Sequence, residues 1–254
     1  MTRIGVAIGR DRWSDLDHPA DPPMNMISIH SVLEGAASAT GTVAVIDVFR
    51  AFTTAAVALA NGATRIIMVG TVEEALALRG AGIGDICMGE VGGKPPAEFD
   101  FGNSPFEVSK VDFSGKTIIQ RTSAGTQGIV AANRAGRLYA ASLVTASATA
   151  RAMLTGSPED ITLIAMGDNG VNRTDEDEVC AIHLRNRLEG RPGDRRAVQR
   201  LILAGGEVGR FHDPTRPHLH PEDVDIALDI DRYDFAIRVE IEDGRPVARI
   251  EKTA

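Results

Sequence analysis

The stretch TVAVIDVFRAFTTAAVALANGA, residues 42–63, places Asp47 near the end of an apolar run and Arg50 three residues later. An acid and a base at the carboxyl end of a buried strand suit a hard cation or a phosphate, because helix N-termini with unpaired N–H groups gather at that rim of a parallel sheet. Asp47 could equally cap the helix that begins near Ala51, with Arg50 as its ion-pair partner. Three further polar segments also follow apolar runs. The loop GEVGGKPPAEFDFGNSP, residues 89–105, carries Glu90, Lys94, Glu98 and Asp100 and is long for a compact domain, which marks functional loops. It closes on Asn103, Ser104, Pro105 and Glu107, the chemistry of a helix start whose free N–H groups could hold an oxyanion or simply be well capped. RTSAGT, residues 121–126, offers a guanidinium, hydroxyls and a flexible glycine, a composition that suits a phosphate cradle but also an ordinary turn. GDNGVNRTDEDEVCAIHL, residues 167–184, gives Thr174 and Asp177 capping-box spacing, while Asp177 also heads the helical stripe of Ala181, Leu184 and Leu188 that should face a sheet. Glu176 points about 100° away from that stripe.

The elements that must position these residues follow from hydrophobic period. Apolar runs predict strands at 43–48, 65–69, 85–89, 116–120, 137–141 and 160–166, with helices at 52–61, 72–80, 105–111, 126–135, 145–155 and 174–189. That alternation predicts an α/β fold, a three-layer α/β/α arrangement with a largely parallel sheet. Residues 231–240 and 246–252 around Asp243-Gly244 predict a C-terminal β-hairpin as an antiparallel addition. All 254 residues read as one domain, with 1–24 a loosely ordered extension.

Composition narrows the function. A net charge of −8 argues against nucleic acid or a polybasic membrane contact, so an anionic ligand needs local basic residues. No apolar run is long enough for a membrane span and no signal peptide is evident, which predicts a cytoplasmic protein. Cys87 and Cys180 read as buried small hydrophobes rather than a disulfide or zinc site. Known phosphate motifs fail. GKT at 115–117 has Lys110 where a Walker loop needs glycine and precedes a strand, and GAGIG at 80–84 lacks dinucleotide spacing. The histidines of FHDPTRPHLHPED, residues 211–223, read as part of a Pro-rich surface loop rather than as a metal site.

Taken together, IDVFRAFTTAAVALANGA (46–63), GE-GG (89–93) with FDFGNSP (99–105), GK-II-RTSAGT (115–126) and EDEVCA (176–181) resemble the 2-phosphosulfolactate phosphatases, often called the ComB family. The resemblance covers residues 43 to 190. It implies a three-layer α/β/α fold and Mg²⁺-dependent hydrolysis of a small anionic phosphate ester to 3-sulfolactate and phosphate, on the route to coenzyme M. Carried over on matching positions are Asp47, Arg50, Glu90, Asn103, Ser104, Gly125, Thr126, Glu176 and Asp177. On this reading Asp47, Arg50, Glu176 and Asp177 are catalytic, and Asp47, Glu90 and Asp177 hold Mg²⁺. Phosphate falls to Asn103, Ser104, Arg121, Ser123, Gly125 and Thr126, and the substrate's other anionic groups to Arg121, Lys94 and Arg173. A water or a carboxylate such as Asp47 is the nucleophile, and a homodimer is left open. Ala124 stands where relatives often carry asparagine, which alters the implied cradle and leaves two alternatives open: a phosphatase of the same fold acting on another small anionic organic phosphate, or a catalytically degenerate anion-binding homologue.

Overall fold

The computed structural model describes residues 26–191 and 193–252. The extension expected at 1–24 lies outside the described residues. These residues form one nine-stranded sheet, built from β1 (Met26–Ser31), β2 (Gly41–Ile46), β3 (Arg65–Met68), β4 (Ile86–Gly89), β5 (Thr117–Arg121), β6 (Ala135–Ala141), β7 (Asp160–Ala165), β8 (Ala236–Glu242) and β9 (Arg245–Glu251). The order is β1-β7-β2-β6-β8-β9-β3-β5-β4. The six strands read from apolar runs are present within two residues at each end, the first hairpin strand begins at Ala236 rather than at 231, and β1, half-exposed at the sheet edge, is added to them.

The hairpin β8–β9 is not an edge addition. It sits in the middle, antiparallel to β6 on one side and to β3 on the other, so it joins two parallel blocks, β1-β7-β2-β6 and β3-β5-β4, that run in opposite directions. Opposed blocks would place their carboxyl ends at opposite rims of a flat sheet. Neighbouring strands rotate by about 20–25°, however, and five steps from β2 to β5 accumulate on the order of 100°. The loops leaving β2, β4, β5 and β7 nevertheless line one cleft.

Strand alternation divides the core. Val43 and Val45 of β2 face one cluster with Leu138, Ala140, Ile237 and Val239, whereas Ala44 and Ile46 face another with Tyr139, Ala141 and Ala236. The first cluster is covered by α1 (Val32–Ser38), α2 (Ala51–Ala60), α4 (Pro105–Val108) and α5 (Gly125–Ala131). The second is covered by α6 (Ala146–Leu154), α7 (Asp175–Leu188), α8 (Arg195–Ala204) and α9 (Pro221–Ala227), and α3 (Val72–Gly80) closes a third against β3–β5. Residues 51–59 of α2 are all buried, which a sequence mostly of Ala and Thr, with one Phe, one Val and one Leu, permits, since small side chains let a helix be surrounded on every side. Cys87 and Cys180 are free and buried. Among the described residues no helix is long and apolar enough to cross a membrane.

Two local rules shape the loops that matter. Helix α4 stops at Val108 rather than running to 111, because the Asn61 side-chain amide takes the carbonyls of Val108 and Val111, each at 3.1 Å. Gly89 ends β4 at φ +142°, and a Cβ there would lie 1.9 Å from the Arg121 carbonyl oxygen. Gly89→Ala is therefore expected to cost about 2–5 kcal/mol in urea unfolding, through backbone strain and displacement of β5. A loss below about 1 kcal/mol would show that this approach is not tight.

Candidate active site

The loops after β2, β4, β5 and β7 enclose a cleft of about 510 Å³ whose lining includes Asp47, Arg50, Glu90, Asn103, Ser123 and Glu176. Asp47 is 5% exposed, and its Oδ1 accepts the Ala51 N–H at 2.9 Å, so it does cap α2. Its Oδ2 faces Gly125, where an added Cβ would lie 2.8 Å from it; only glycine lets α5 begin this close. Burial, and after it the charge of Glu90, raise the Asp47 pKa to about 6 against the N–H groups of Ala51 and Gly125 and the Arg210 guanidinium. Capping and site chemistry thus coincide in one carboxylate.

Glu90 is clamped by the β5–α5 loop. Its Oε1 accepts the Ser123 N–H at 2.5 Å, and its Oε2 accepts the Gly93 N–H at 2.6 Å and the Ser123 hydroxyl at 3.1 Å. Arg121 stands behind this clamp rather than in the cleft, donating to the Glu90 carbonyl at 2.7 Å, to Ser123 Oγ at 3.1 Å and to the Gly70 carbonyl at 3.3 Å. Thr126 is likewise internal: it and Thr122 exchange hydrogen bonds of 2.8 and 3.0 Å between each N–H and the other's hydroxyl, which fixes the start of α5.

The two acids of α7 divide differently from their sequence-based roles. Asp177 does lie on the buried stripe with Ala181, Leu184 and Leu188, but its Oδ1 accepts the Val48 N–H at 2.7 Å and its Oδ2 the Gly167 N–H at 2.8 Å. It ties the β2 and β7 loops together beneath the cleft, and it forms no capping box with Thr174 because both oxygens are taken by these distant N–H groups. Glu176 is the one that lines the cleft, 2% exposed and with Oε2 unpartnered among the described residues. Burial pushes its pKa up to about 7, with Glu207 adding and Arg210 opposing. Burial, then the charges of Glu176 and Asp47, push Asp177 well above the usual carboxylate range.

The FGNSPFE segment is a cap supplied in trans. Asp223 of α9, fully buried, accepts the Ser104 hydroxyl at 2.6 Å and the Phe106 N–H at 3.0 Å through Oδ1. Its Oδ2 pairs with Arg50 at 2.7 Å. Arg50 is thus the partner of Asp223 rather than of Asp47, and of the two readings of this helix start the capped one holds: the Phe106 N–H is taken by Asp223 and the Glu107 N–H by Ser104 Oγ at 3.2 Å, while Pro105 has none. Asn103 faces the cleft, 6% exposed, with Oδ1 unpartnered among the described residues.

Sequence reasoning missed the other wall. The 3-10 turn Val208–His212 and the loop after it bring Arg210, Thr215, Arg216, His218 and Leu219 to the cleft, so FHDPTRPHLHPED is part of the site rather than a plain surface loop. Arg210 bridges Glu207 at 2.8 Å and Asp168 at 3.6 Å. The density of Arg and His there was a readable signal for an anion, although nothing local ties it to strand ends. Arg173 is mostly exposed, is paired with Glu178 at 2.7 Å, and does not line the cleft.

Asp47, Glu90 and Glu176, with Asn103 Oδ1, present oxygen donors to one space, and the unpartnered oxygens of Glu176 and Asn103 are what a hard, oxygen-preferring cation in that space would satisfy. Among the described residues no three His, Cys, Asp or Glu side chains form a ready cage, so Asp47, Glu90 and Asp177 are not a three-carboxylate ligand set. Mg²⁺ needs none, because it keeps several waters and takes one or two carboxylates. The residues fit such an ion.

Fold and cleft together define an α/β protein with a strand-end site for a small anionic ligand, its floor acidic and its wall cationic. A family model described as 2-phosphosulpholactate phosphatase matches residues 28–204. Among individual relatives, a protein of Thermotoga petrophila named "Probable 2-phosphosulfolactate phosphatase" is 43% identical over 129 residues, 51% of this chain and 55% of that one. One of the same name from Bacillus subtilis is 30% identical over 211 residues, 82% of this chain and 90% of the relative. The chain thus spans about half the length of the first relative and most of the second. It belongs to the 2-phosphosulpholactate phosphatase family.

Proposed function

We propose that this chain is a Mg²⁺-dependent phosphate monoester hydrolase that converts 2-phosphosulfolactate to 3-sulfolactate and inorganic phosphate. The observation that carries the reading is the meeting of Asp47, Glu90 and Glu176 in one cleft walled by Arg50, Arg210 and Lys94. The relatives' names supply the substrate. Asp47 and Glu90 would hold the cation; each carboxylate oxygen already accepting a hydrogen bond retains a lone pair. When bound, Mg²⁺ supplies the positive charge that offsets the ester's oxygens and the crowding of carboxylates.

The chain's own groups do the rest. Arg50, oriented by Asp223 and by the His218 carbonyl at 2.9 Å, and Arg210, held by Glu207, meet phosphoryl oxygens. Glu176 accepts the proton of the attacking water at Oε2, the oxygen left without a partner, and a pKa near 7 suits a base working at neutral pH. Asp47 is the weaker candidate for direct attack, since Ala51 and Gly125 restrain its oxygens. Phosphate release from a panel of esters, with Mg²⁺ and with chelator, tests this. The expected result is Mg²⁺-dependent release, fastest from 2-phosphosulfolactate. A faster phosphate ester lacking the sulfonate would overturn the substrate, and release indifferent to chelator would overturn the cation.

A further inference from the structure

The family match ends at Ala204, yet the cleft does not: its second wall is the strap from Val208 to Leu219. Side-chain contacts fasten that strap to the floor. Arg50 donates to the His218 carbonyl at 2.9 Å, Phe211 meets Phe49 edge-on at 5.1 Å between ring centres, and Arg210 reaches Asp168. The wall is therefore placed by packing and not merely near.

Its charges are not all spent. Arg50 is neutralised by the buried Asp223 and Arg210 by Glu207 and Asp168. Among the described residues Arg216 pairs only with Asp213, at 3.5 Å on the exposed side, and Lys94, across the cleft on the GEVGGK loop, makes no salt bridge. His218 closes the gap between the two, with Nε2 3.9 Å from where a Cβ on Gly93 would stand. Burial first, then Arg50, Lys94, Arg216 and His220, lower the His218 pKa, as expected where cations crowd without an anion between them. Such a grouping favours a negatively charged ligand and disfavours an uncharged one.

We propose that Arg216 and His218 of the strap, facing Lys94, bind a second anionic group of the substrate, a carboxylate or sulfonate away from the phosphoryl group, and so set specificity. This rests on the phosphatase reading of the same cleft. The strap would select esters that carry a further charge, while the acidic floor would treat all monoesters alike.

The experiment compares kcat/KM for 2-phosphosulfolactate, 2-phospholactate and β-glycerophosphate, which carry carboxylate plus sulfonate, carboxylate alone, and neither. The ratio between charged and uncharged esters is expected to fall roughly 10- to 100-fold in Arg216→Gln, the scale of one charge-assisted hydrogen bond. Whether the loss falls on the sulfonate or the carboxylate step of the series identifies the group bound. An unchanged ratio in both Arg216→Gln and His218→Gln overturns the proposal. If the wild-type protein hydrolyses no ester, the phosphatase reading fails, and calorimetric binding of 3-sulfolactate against lactate still decides the strap. Binding of either acid that Arg216→Gln weakens supports it; binding of neither acid, or binding unchanged in both Arg216→Gln and His218→Gln, overturns it.

Discussion

Glu176→Gln is expected to cost hydrolysis about 10²- to 10⁴-fold while making the metal-free protein more stable at pH 8. The two effects share one cause. Burial raises the Glu176 pKa from 4.5 to about 7, so the folded protein keeps a proton that the unfolded chain gives up. Below about pH 4.5 the carboxyl is protonated in both states and exacts no penalty. Between 4.5 and 7 the folded state binds more protons than the unfolded, so stability falls as pH rises, and above 7 the whole penalty applies. A shift of this size corresponds to roughly 3 kcal/mol. Glutamine carries no charge to desolvate, so its advantage should be present at pH 8 and vanish near pH 4. Asp47, raised to about 6, adds a smaller term of the same sign. Urea unfolding of both proteins across this range checks the claim; equal stability at pH 8 would mean that Glu176 is hydrated, not buried.

Asp223→Ala should be the most destabilising single change outside the apolar core. Asp223 is fully buried and accepts from Arg50, Ser104 and Phe106, so it fastens α9, α2 and α4 at one point. Removing it strands the Arg50 guanidinium, itself 5% exposed, and leaves two donors unsatisfied. Breaking a buried ion pair by deleting one partner costs about 3–5 kcal/mol, more than the pair contributes relative to a neutral replacement. Asp223→Asn separates the components, because an amide can still accept from Ser104 or Phe106 but cannot neutralise Arg50. The expected order in denaturant midpoint, at unchanged slope, is wild type, then Asn, then Ala. A midpoint for the alanine variant within about 1 kcal/mol of wild type would show that Arg50 finds another partner.

Much of this architecture was readable because strands and helices announce themselves by local period. Val43 to Ile46, Ile66 to Met68 and Ile161 to Ala165 are buried on both faces and read as continuous apolar runs. The central place of β8–β9 was not readable, since a hairpin's turn fixes its own register but says nothing about which outer strands it will join. Helix α8 was missed although Val198, Leu201 and Ile202 of RRAVQRLILA stand at helical spacing. At the site, Asp47, Glu90, Asn103 and Ser123 stood out as polar residues at the ends of apolar runs, and all line the cleft. Glu176 lines the cleft as expected, and Asp177 does not, for a geometric reason. A carboxylate on the sheet-facing stripe meets the backbone N–H groups of the strand ends, whereas its neighbour on the first turn looks into the open space above them. Asp223, Arg210, Arg216 and His218 reach the site only through tertiary folding of a segment with weak local pattern, so their density of charge hinted at an anion but their spacing did not tie them to the strand ends.

The central claim is that Asp47 and Glu90, brought together from separate strand ends, hold a divalent cation beside the cationic wall. Calorimetric titration of Mg²⁺ into the protein at pH 8, in the presence of inorganic phosphate, tests it most directly when run beside Asp47→Asn. Saturable binding at one site in the wild-type protein, lost in the variant, is the predicted result. Binding of equal strength in both, or none in the wild type, would contradict it.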